Sequence, residues 1–232
     1  MIDPRRFEAL GSVQTDWLHA RHHFSFGHYH DPDRMGWGTI RVWNDDEIQP
    51  GTGFDPHPHR DMEIITYVRD GAITHRDSMG NEGRTEAGDV QVMSAGRGVI
   101  HAEHNREREL TRIFQIWIET DEQGAEPRWD AAQFPKADRA GAFVSLASGD
   151  PDRDGGLKIH ADAKVLGATV TAGASVDYAL APGRHAYLAL AKGVVELNGV
   201  RLQDRDGAAI KDEPRLTVTA LEDAEVVLVD AP

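Results

Sequence analysis

Two short runs of metal-ligand residues, each set in strand-like sequence, constrain the fold of this chain more than any other feature. The first run, at residues 51–63, reads G-T-G-F-D-P-H-P-H-R-D-M-E. The second, at residues 88–105, reads G-D-V-Q-V-M-S-A-G-R-G-V-I-H-A-E-H-N. The sequence that follows the first run is β-branched and aromatic, and neither run has a helical period. A β-fold that brings two ligand-bearing strands side by side is therefore predicted.

The spacing of side chains within the two runs predicts a metal site. Alternate side chains of a strand share a face, so His57 and His59 can point the same way. His101 and Glu103 repeat this arrangement in the second run. Two such strands would bring three imidazoles and a carboxylate to one point, which is a ligand set for a first-row transition metal. Glu63 has the same parity as the first pair, and it is an alternative ligand or a group that orients a histidine.

These residues resemble the motifs of a known superfamily. Gly51, His57, His59 and Glu63 have the spacing of the first cupin motif. The stretch M-S-A-G-R-G-V-I-H-A-E, at residues 93–103, resembles the signature of the pirin branch, as do H-P-H-R-D-M-E-I-I-T-Y and F-G-H-Y-H-D-P. The resemblance to the pirin family implies an all-β bicupin, which consists of two tandem cupin (double-stranded β-helix, jelly-roll) barrels.

The resemblance also implies a ligand set and a metal. In pirins three histidines and the glutamate of the second motif bind iron, and these positions correspond here to His57, His59, His101 and Glu103. The expected cofactor is one divalent transition metal, first Fe(II), with Zn, Ni, Co, Mn or Cu as alternatives. Other cupins use the glutamate of the first motif, which is Glu63 in this sequence.

Two functions are compatible with these ligands. Bacterial pirin-like bicupins are associated with quercetin 2,3-dioxygenase activity, so the resemblance implies a flavonol-like substrate, dioxygen as co-substrate and release of carbon monoxide. Glu103 is then the candidate catalytic base for the substrate hydroxyl. Pirins of other organisms are instead non-catalytic, iron-binding, redox-responsive regulatory proteins that act through a protein partner. An apolar cavity beside the metal would favour the enzyme.

The domain organisation follows from where strand-like alternation stops and resumes. We predict an N-terminal metal-binding cupin barrel at residues 1–130, a linker at 131–142 and a C-terminal cupin barrel at 143–232. A short helix is expected at residues 130–134. The C-terminal half has only His160 and His185, which lack a spaced partner, so this barrel is predicted to have no metal ligands.

Composition excludes several classes of protein. The formal net charge of −14 argues against direct binding of nucleic acid, and no apolar run reaches the length of a membrane span. Cysteine is absent, so thiolate ligation is excluded, and an open reactive site is favoured over a structural zinc site. No targeting segment is recognised, which predicts a cytoplasmic protein, and we expect a monomer.

Local patterns give further predictions. Histidines near residues 19–30 are expected to pack and not to bind metal, and His75 is expected to be a hydrogen-bonded histidine on the hairpin partner of the preceding strand. The polar triplet Asn44-Asp45-Asp46 predicts a turn. Gln115 and Trp117 share a face and could reach a pocket, but Trp117 is expected in the core. Asn198-Gly199, between alternating runs, predicts a two-residue hairpin.

Overall fold

The computed structural model describes all 232 residues and consists almost entirely of β-strands. The N-terminal half contains β1 (Ile2–Arg5), β2 (Gly11–Gln14), β3 (Leu18–His22), β4 (Ile40–Ile48), β5 (Gly53–His59), β6 (Met62–Asp70), β7 (Ala72–Asp77), β8 (Glu82–Glu86), β9 (Val90–Ser94), β10 (Val99–His104), β11 (Thr111–Glu119) and β12 (Arg128–Ala132). The C-terminal half contains β13 (Val144–Ser148), β14 (Leu157–Lys158), β15 (Lys164–Val170), β16 (Ser175–Ala179), β17 (His185–Lys192), β18 (Val195–Leu197), β19 (Val200–Leu202), β20 (Gly207–Lys211), β21 (Arg215–Ala220) and β22 (Ala224–Ala231). Short 3-10 helices lie at Phe7–Ala9, Pro32–Arg34 and Lys136–Arg139, and one α-helical turn, α1, lies at Pro151–Asp154.

The two halves of the molecule have the same strand order. In the N-terminal barrel the sheets run β12-β9-β6-β11-β4-β3-β2 and β5-β10-β7-β8. In the C-terminal barrel they run β1-β20-β17-β22-β15-β13-β14 and β16-β21-β18-β19. Each strand from β4 to β11 therefore has a counterpart eleven places further along the chain. This repeat confirms the predicted all-β bicupin.

Each large sheet has an added strand at one edge, and one of these two strands comes from the other half of the chain. β12 follows the last strand of the N-terminal barrel and pairs with β9. β1, at the start of the chain, instead pairs with β20, with Ile2 opposite Ile210. The first residues thus belong to a sheet of the C-terminal barrel. The boundaries at residues 130 and 143 remain a prediction.

The buried apolar residues are divided unequally among the barrels and the contact between them. The largest cluster has 24 residues from both halves and fills the contact between the barrels, with Trp43 and Tyr187 among its largest side chains. A second cluster of 19 residues fills the interior of the C-terminal barrel. The interior of the N-terminal barrel has only two clusters of four residues each. Space for a polar site is therefore left in the N-terminal barrel.

Two local predictions in the N-terminal barrel are wrong because tertiary pairing outweighs local sequence preference. The expected short helix at residues 130–134 is instead strand β12 and the residues after it, because Arg128–Ala132 pairs with the edge of β9. The expected turn at residues 44–46 lies in the middle of β4, where Asp45 and Asp46 are buried. Neighbouring strands on both sides of β4 supply the backbone partners that a turn would lack.

The connection at residue 71 also differs from the prediction. β6 and β7 follow one another in the chain but lie in different sheets, so they do not form a hairpin. β7 instead pairs with β8 and β10. The predicted Asn198-Gly199 hairpin is confirmed, since Leu197 lies opposite Val200 and both turn residues have positive φ angles. No helix in the structure is both long enough and apolar enough to span a membrane.

Candidate metal centre

Pairing between β5 and β10 brings the two predicted ligand runs together. His101 lies directly opposite His57 in this antiparallel pair. A β-bulge follows this pair. Glu103 lies opposite Phe54, so an advance of two residues along β10 corresponds to three residues along β5. Pro56 and Pro58 lack a backbone N–H, and β5 tolerates them because it is the edge strand of its sheet. The first ligand strand is therefore irregular at this point.

Three histidines form one compact cluster at this point. A ligand nitrogen of each of His57, His59 and His101 lies within 4.8 Å of the others, and these residues could hold a metal ion. The Nε2 atoms of His57 and His101 are 3.1 Å apart. Two ligands about 2.1 Å from one metal, at a right angle, would be roughly 3.0 Å apart. The observed separation therefore fits a shared metal.

The tautomer of His57 is set by a backbone carbonyl. Its Nδ1 lies 2.7 Å from the carbonyl oxygen of Asp55, which can only accept a hydrogen bond. Nδ1 therefore carries the proton, and Nε2 presents a lone pair toward the cluster. This is the form of the ring that a metal requires.

A chain of three side chains sets the tautomer of His101 in the same way. His75 Nε2 donates to Asp77 Oδ2 at 3.0 Å, and His75 Nδ1 lies 3.4 Å from His101 Nδ1. With Nε2 donating to Asp77, His75 Nδ1 is the acceptor for His101, so His101 Nε2 is the unprotonated atom. Two lone pairs face each other between His57 and His101, and a cation at the cluster would relieve their repulsion. His75 is thus hydrogen-bonded and buried, as predicted.

His59 supplies an independent indication of a ligand site. Its Nε2 is buried and has no hydrogen-bond partner within the chain. The ring contacts Trp117 edge-on, with centroids 4.9 Å apart. An unpaired buried nitrogen is costly unless a ligand occupies it.

Burial keeps His59 and His101 neutral. Desolvation, together with the charges of His101 and His57, lowers the pKa of His59 to about 4. Desolvation, with the charges of His57 and His75, lowers the pKa of His101 to about 3. Both rings are unprotonated at neutral pH, as metal binding requires. Proton competition for these two ligands therefore begins at lower pH than for an ordinary histidine.

Glu103 lies deeper in the barrel than the histidines and is 1% exposed. Gln91 and Gln115 donate amide N–H groups to its Oε1 and Oε2, each at 2.6 Å. The hydroxyl of Thr66 lies 3.0 Å from Oε1. A carboxylate has about four lone-pair positions, so Glu103 keeps one for a metal or a substrate hydroxyl.

Glu63, the alternative ligand, points elsewhere. It accepts a hydrogen bond from Ser94 Oγ at 2.6 Å and is buried. Burial raises its pKa, an effect opposed by the Ser94 hydroxyl and the backbone N–H of His160. Like Glu103, it is not part of the histidine cluster. Its contacts are those of a carboxyl that satisfies nearby donors.

A cavity of about 430 Å³ opens beside the histidine cluster. Its apolar lining consists of Trp17, Phe26, Phe54, Ile64 and Trp117. Its other lining residues are Asn44, Asp46, Gly53, Asp55, Gln115, Glu103 and the three histidines. The cavity has room for a planar aromatic molecule with one edge at the cluster. Trp117 is a wall of this cavity and not only a core residue.

Several other histidines lie away from the cluster. His22 donates from Nδ1 to Asn44 Oδ1 at 2.8 Å, and His23 Nδ1 is 2.7 Å from the Tyr187 hydroxyl. His185 packs edge-on against Trp37, and His160 lies 3.1 Å from Glu122. Of the early histidines, His22 and His23 pack as predicted, whereas His28 and His30 are exposed.

Sequence reasoning missed some of the cavity residues. Trp17 and Phe54 carry no signal that connects them to a site, because they come together only through folding, with ring centroids 5.2 Å apart. The local preference at Asp46 is for a turn. Strict alternation on β4 and β11 could have indicated that Asp46 faces the cavity. Gln115 lies opposite Asn44 on the cavity face, and Asp46 is two residues further along β4 on that face.

Comparison with known proteins agrees with this geometry. The family described as Pirin matches residues 5–118, and the Quercetinase C-terminal cupin domain matches residues 145–231. A protein named pirin-like, from Caulobacter vibrioides, is 64% identical over 231 residues and covers 100% of both chains. The chain belongs to the pirin family. Both barrels of this pirin are therefore covered by known domain families.

Two proteins of Escherichia coli extend the comparison. One, from strain K12, named quercetin 2,3-dioxygenase, is 40% identical over 234 residues, covering 100% of this pirin and 99% of its relative. The crystal structure of the bacterial pirin YhhW in complex with nickel(II) has a TM-score of 0.94 and 39% identity. That match covers 100% of this chain and 99% of the other. The fold is thus shared along the whole chain.

Proposed function

We propose that this pirin is a metal-dependent dioxygenase that cleaves flavonols such as quercetin with dioxygen and releases carbon monoxide. The observation that carries the proposal is the cavity of about 430 Å³ that opens directly on the histidine cluster. Two relatives support it, one named quercetin 2,3-dioxygenase and one crystallised with nickel(II). A regulatory protein that acts through its surface has no need of such a cavity.

The proposed ligands are His57, His59, His101 and Glu103. The hydrogen bond at Nδ1 presents His57 Nε2 to the site, burial keeps His59 and His101 neutral, and Glu103 keeps one lone-pair position. A bound divalent metal would supply Lewis acidity to a substrate hydroxyl and a binding position for dioxygen. We propose Fe(II) as the native metal, with Ni, Co, Mn, Cu and Zn as alternatives.

The residues of the cavity would then position the substrate. Trp17 and Phe54 on one side, and Phe26 and Trp117 on the other, offer flat apolar surfaces for the rings. They also exclude water from the reacting edge. Because Gln91 and Gln115 fix both oxygens of Glu103, its remaining lone pair has a defined direction.

Glu103 is the proposed catalytic base. Its free lone-pair position can serve one role at a time, so Glu103 would accept the proton of the flavonol 3-hydroxyl when it is not bound to the metal, at Oε2, which Gln115 alone contacts. Positioning of the two reactants supplies most of the rate enhancement in this proposal, since a well-oriented pair can gain about 7–11 kcal/mol. The C-terminal barrel has no direct part in the reaction and supports the first.

The test measures oxygen uptake and carbon monoxide release on quercetin. Metal-stripped protein is reloaded without oxygen with Fe(II), Mn, Co, Ni, Cu or Zn, and His101→Ala is the control. Turnover with a redox-active metal, absent in the control, is the expected result. Stoichiometric metal loading without turnover would favour the redox-responsive regulatory protein instead.

A further inference from the structure

One carboxyl in the cavity has no partner in the chain. Asp46, on β4, is 2% exposed and lines the same cavity as the histidine cluster. Its Oδ1 is buried and makes no hydrogen bond. Buried polar atoms are nearly always paired, so an unpaired carboxyl oxygen beside a cavity indicates a partner that enters the cavity.

The neighbours of Asp46 show that the missing partner is not a general property of this strand. Asn44, two residues earlier on the same face, accepts a hydrogen bond from His22 at 2.8 Å. Asp45 faces the other way and pairs with Arg69 and with Arg205, whose Nε is 2.7 Å from Oδ2. Asn44, Asp45 and Asp46 are three consecutive polar side chains, and only Asp46 is left unpaired.

The two buried carboxyls of the cavity are held differently. Glu103 receives amide N–H groups on both oxygens, whereas Asp46 has no donor on Oδ1. Burial, with the charges of Asp45 and Glu103, raises the pKa of Asp46 well above its usual value. Asp46 is therefore disposed to be a neutral acid, which can both donate and accept a hydrogen bond.

We propose that Asp46 determines ligand specificity by hydrogen-bonding a hydroxyl of the aromatic ligand other than the one nearest the metal cluster. The inference rests on the proposed function for its ligand class, a polyhydroxylated planar aromatic. Glu103 and the histidines then contact one edge of the ligand, and the aromatic walls of the cavity pack against its faces. Asp46 forms a hydrogen bond with a second hydroxyl. A ligand that lacks this hydroxyl leaves Asp46 unpaired and binds less tightly.

Calorimetric binding without oxygen separates this inference from turnover. Metal-free and Zn(II)-loaded protein are titrated with quercetin and with 3-hydroxyflavone, which keeps only the 3-hydroxyl. Asp46→Leu removes the polar group at similar volume, and it should fold because it replaces an unpaired buried carboxyl. We expect it to weaken quercetin binding about tenfold and leave 3-hydroxyflavone within about twofold.

Two further variants complete the test. Asp46→Asn keeps a donor and an acceptor and should bind quercetin within about threefold of the wild type. Asp152→Asn, the same change at an exposed position of the C-terminal barrel, should leave the preference for quercetin unchanged. An Asp46→Leu protein with the wild-type preference would overturn the inference while leaving the dioxygenase proposal intact. Binding with the expected preference but no turnover would support the inference and count against the dioxygenase. If the wild type bound neither flavonol, both would fail.

Discussion

In the C-terminal barrel 19 buried apolar residues form one continuous interior, whereas the interior of the N-terminal barrel is split into two clusters of four. The split is visible along β6, where Thr66 lies between the alternate residues Ile64 and Val68, which belong to different clusters. Thr66 forms a hydrogen-bonded layer with Gln91, Glu103 and Gln115. The same strand order thus supports a dry interior and a polar one.

The comparison shows how the pair of barrels can carry a polar cavity. In the C-terminal barrel the strands that correspond to the two ligand strands contribute Val176, Leu216 and Val218 to the apolar interior. The 24-residue cluster between the barrels packs the outer face of a C-terminal sheet against the outer face of an N-terminal sheet. Apolar burial elsewhere offsets the weak packing around the site.

The largest expected contrast comes from truncating one residue on each of two corresponding strands. Leu216→Ala on β21 should lower the free energy of unfolding by about 2–5 kcal/mol while metal stoichiometry is kept. His101→Ala on β10 should abolish metal binding with a much smaller effect on the metal-free protein. Urea unfolding and metal analysis of both variants check this. Loss of metal from folded Leu216→Ala would break the contrast.

The hydrogen-bonded histidine behind the cluster should affect metal affinity. His75→Phe removes the group that accepts from His101 Nδ1, so the metal-binding form of His101 is no longer enforced. Loss of such a partner typically lowers metal affinity by about 10–100-fold. Competition with a chelating dye measures the affinity. His185→Phe, a change in the C-terminal barrel, is the matched control, and an equal effect in both would contradict the role of His75.

Acid should act on the N-terminal barrel through its buried histidines. Burial, with the charges of Arg5 and Arg34 adding to it, lowers the pKa of His23 well below 6.5. Below pH 6.5 the unfolded chain binds a proton at this residue and the folded chain does not, so stability falls as pH falls. The slope is about 1.4 kcal/mol per pH unit for one fully buried histidine.

His23→Gln should remove this part of the pH dependence. The variant keeps a polar partner for the Tyr187 hydroxyl, and below pH 6.5 its stability should rise relative to the wild type. Tryptophan fluorescence during denaturation reports the transition, since all five tryptophans precede residue 130. His28→Gln, at an exposed position, should leave the slope unchanged. A wild-type slope in His23→Gln would show that another group is responsible.

The smallest expected effect concerns a hairpin of the C-terminal barrel. Gly199 has a φ angle of 86°, a conformation that costs other residues energy. Gly199→Ala should lower the free energy of unfolding by about 1 kcal/mol, with no change in metal affinity. Thermal unfolding with and without metal checks both parts. A change in metal affinity would show that the two barrels are coupled more closely than their interiors suggest.

The sequence by itself determined a β-fold and the histidines of the cluster, and its resemblance to pirins implied the two-barrel repeat. Alternation and the H-x-H spacing are local properties of strands, so they place His57 and His59 on one face, and the second run adds His101. The Asn198-Gly199 turn is local in the same sense, because two positive φ angles demand those residues.

Only the tertiary structure decided which polar residues surround that cluster and how they are held. Asn44-Asp45-Asp46 has the local preference of a turn, but pairing on both sides of β4 makes it strand and puts Asp46 in the cavity. β6 and β7 are adjacent in sequence yet belong to different sheets, and this places His75 behind His101. Such contacts depend on residues far apart in the chain, for which spacing carries no signal.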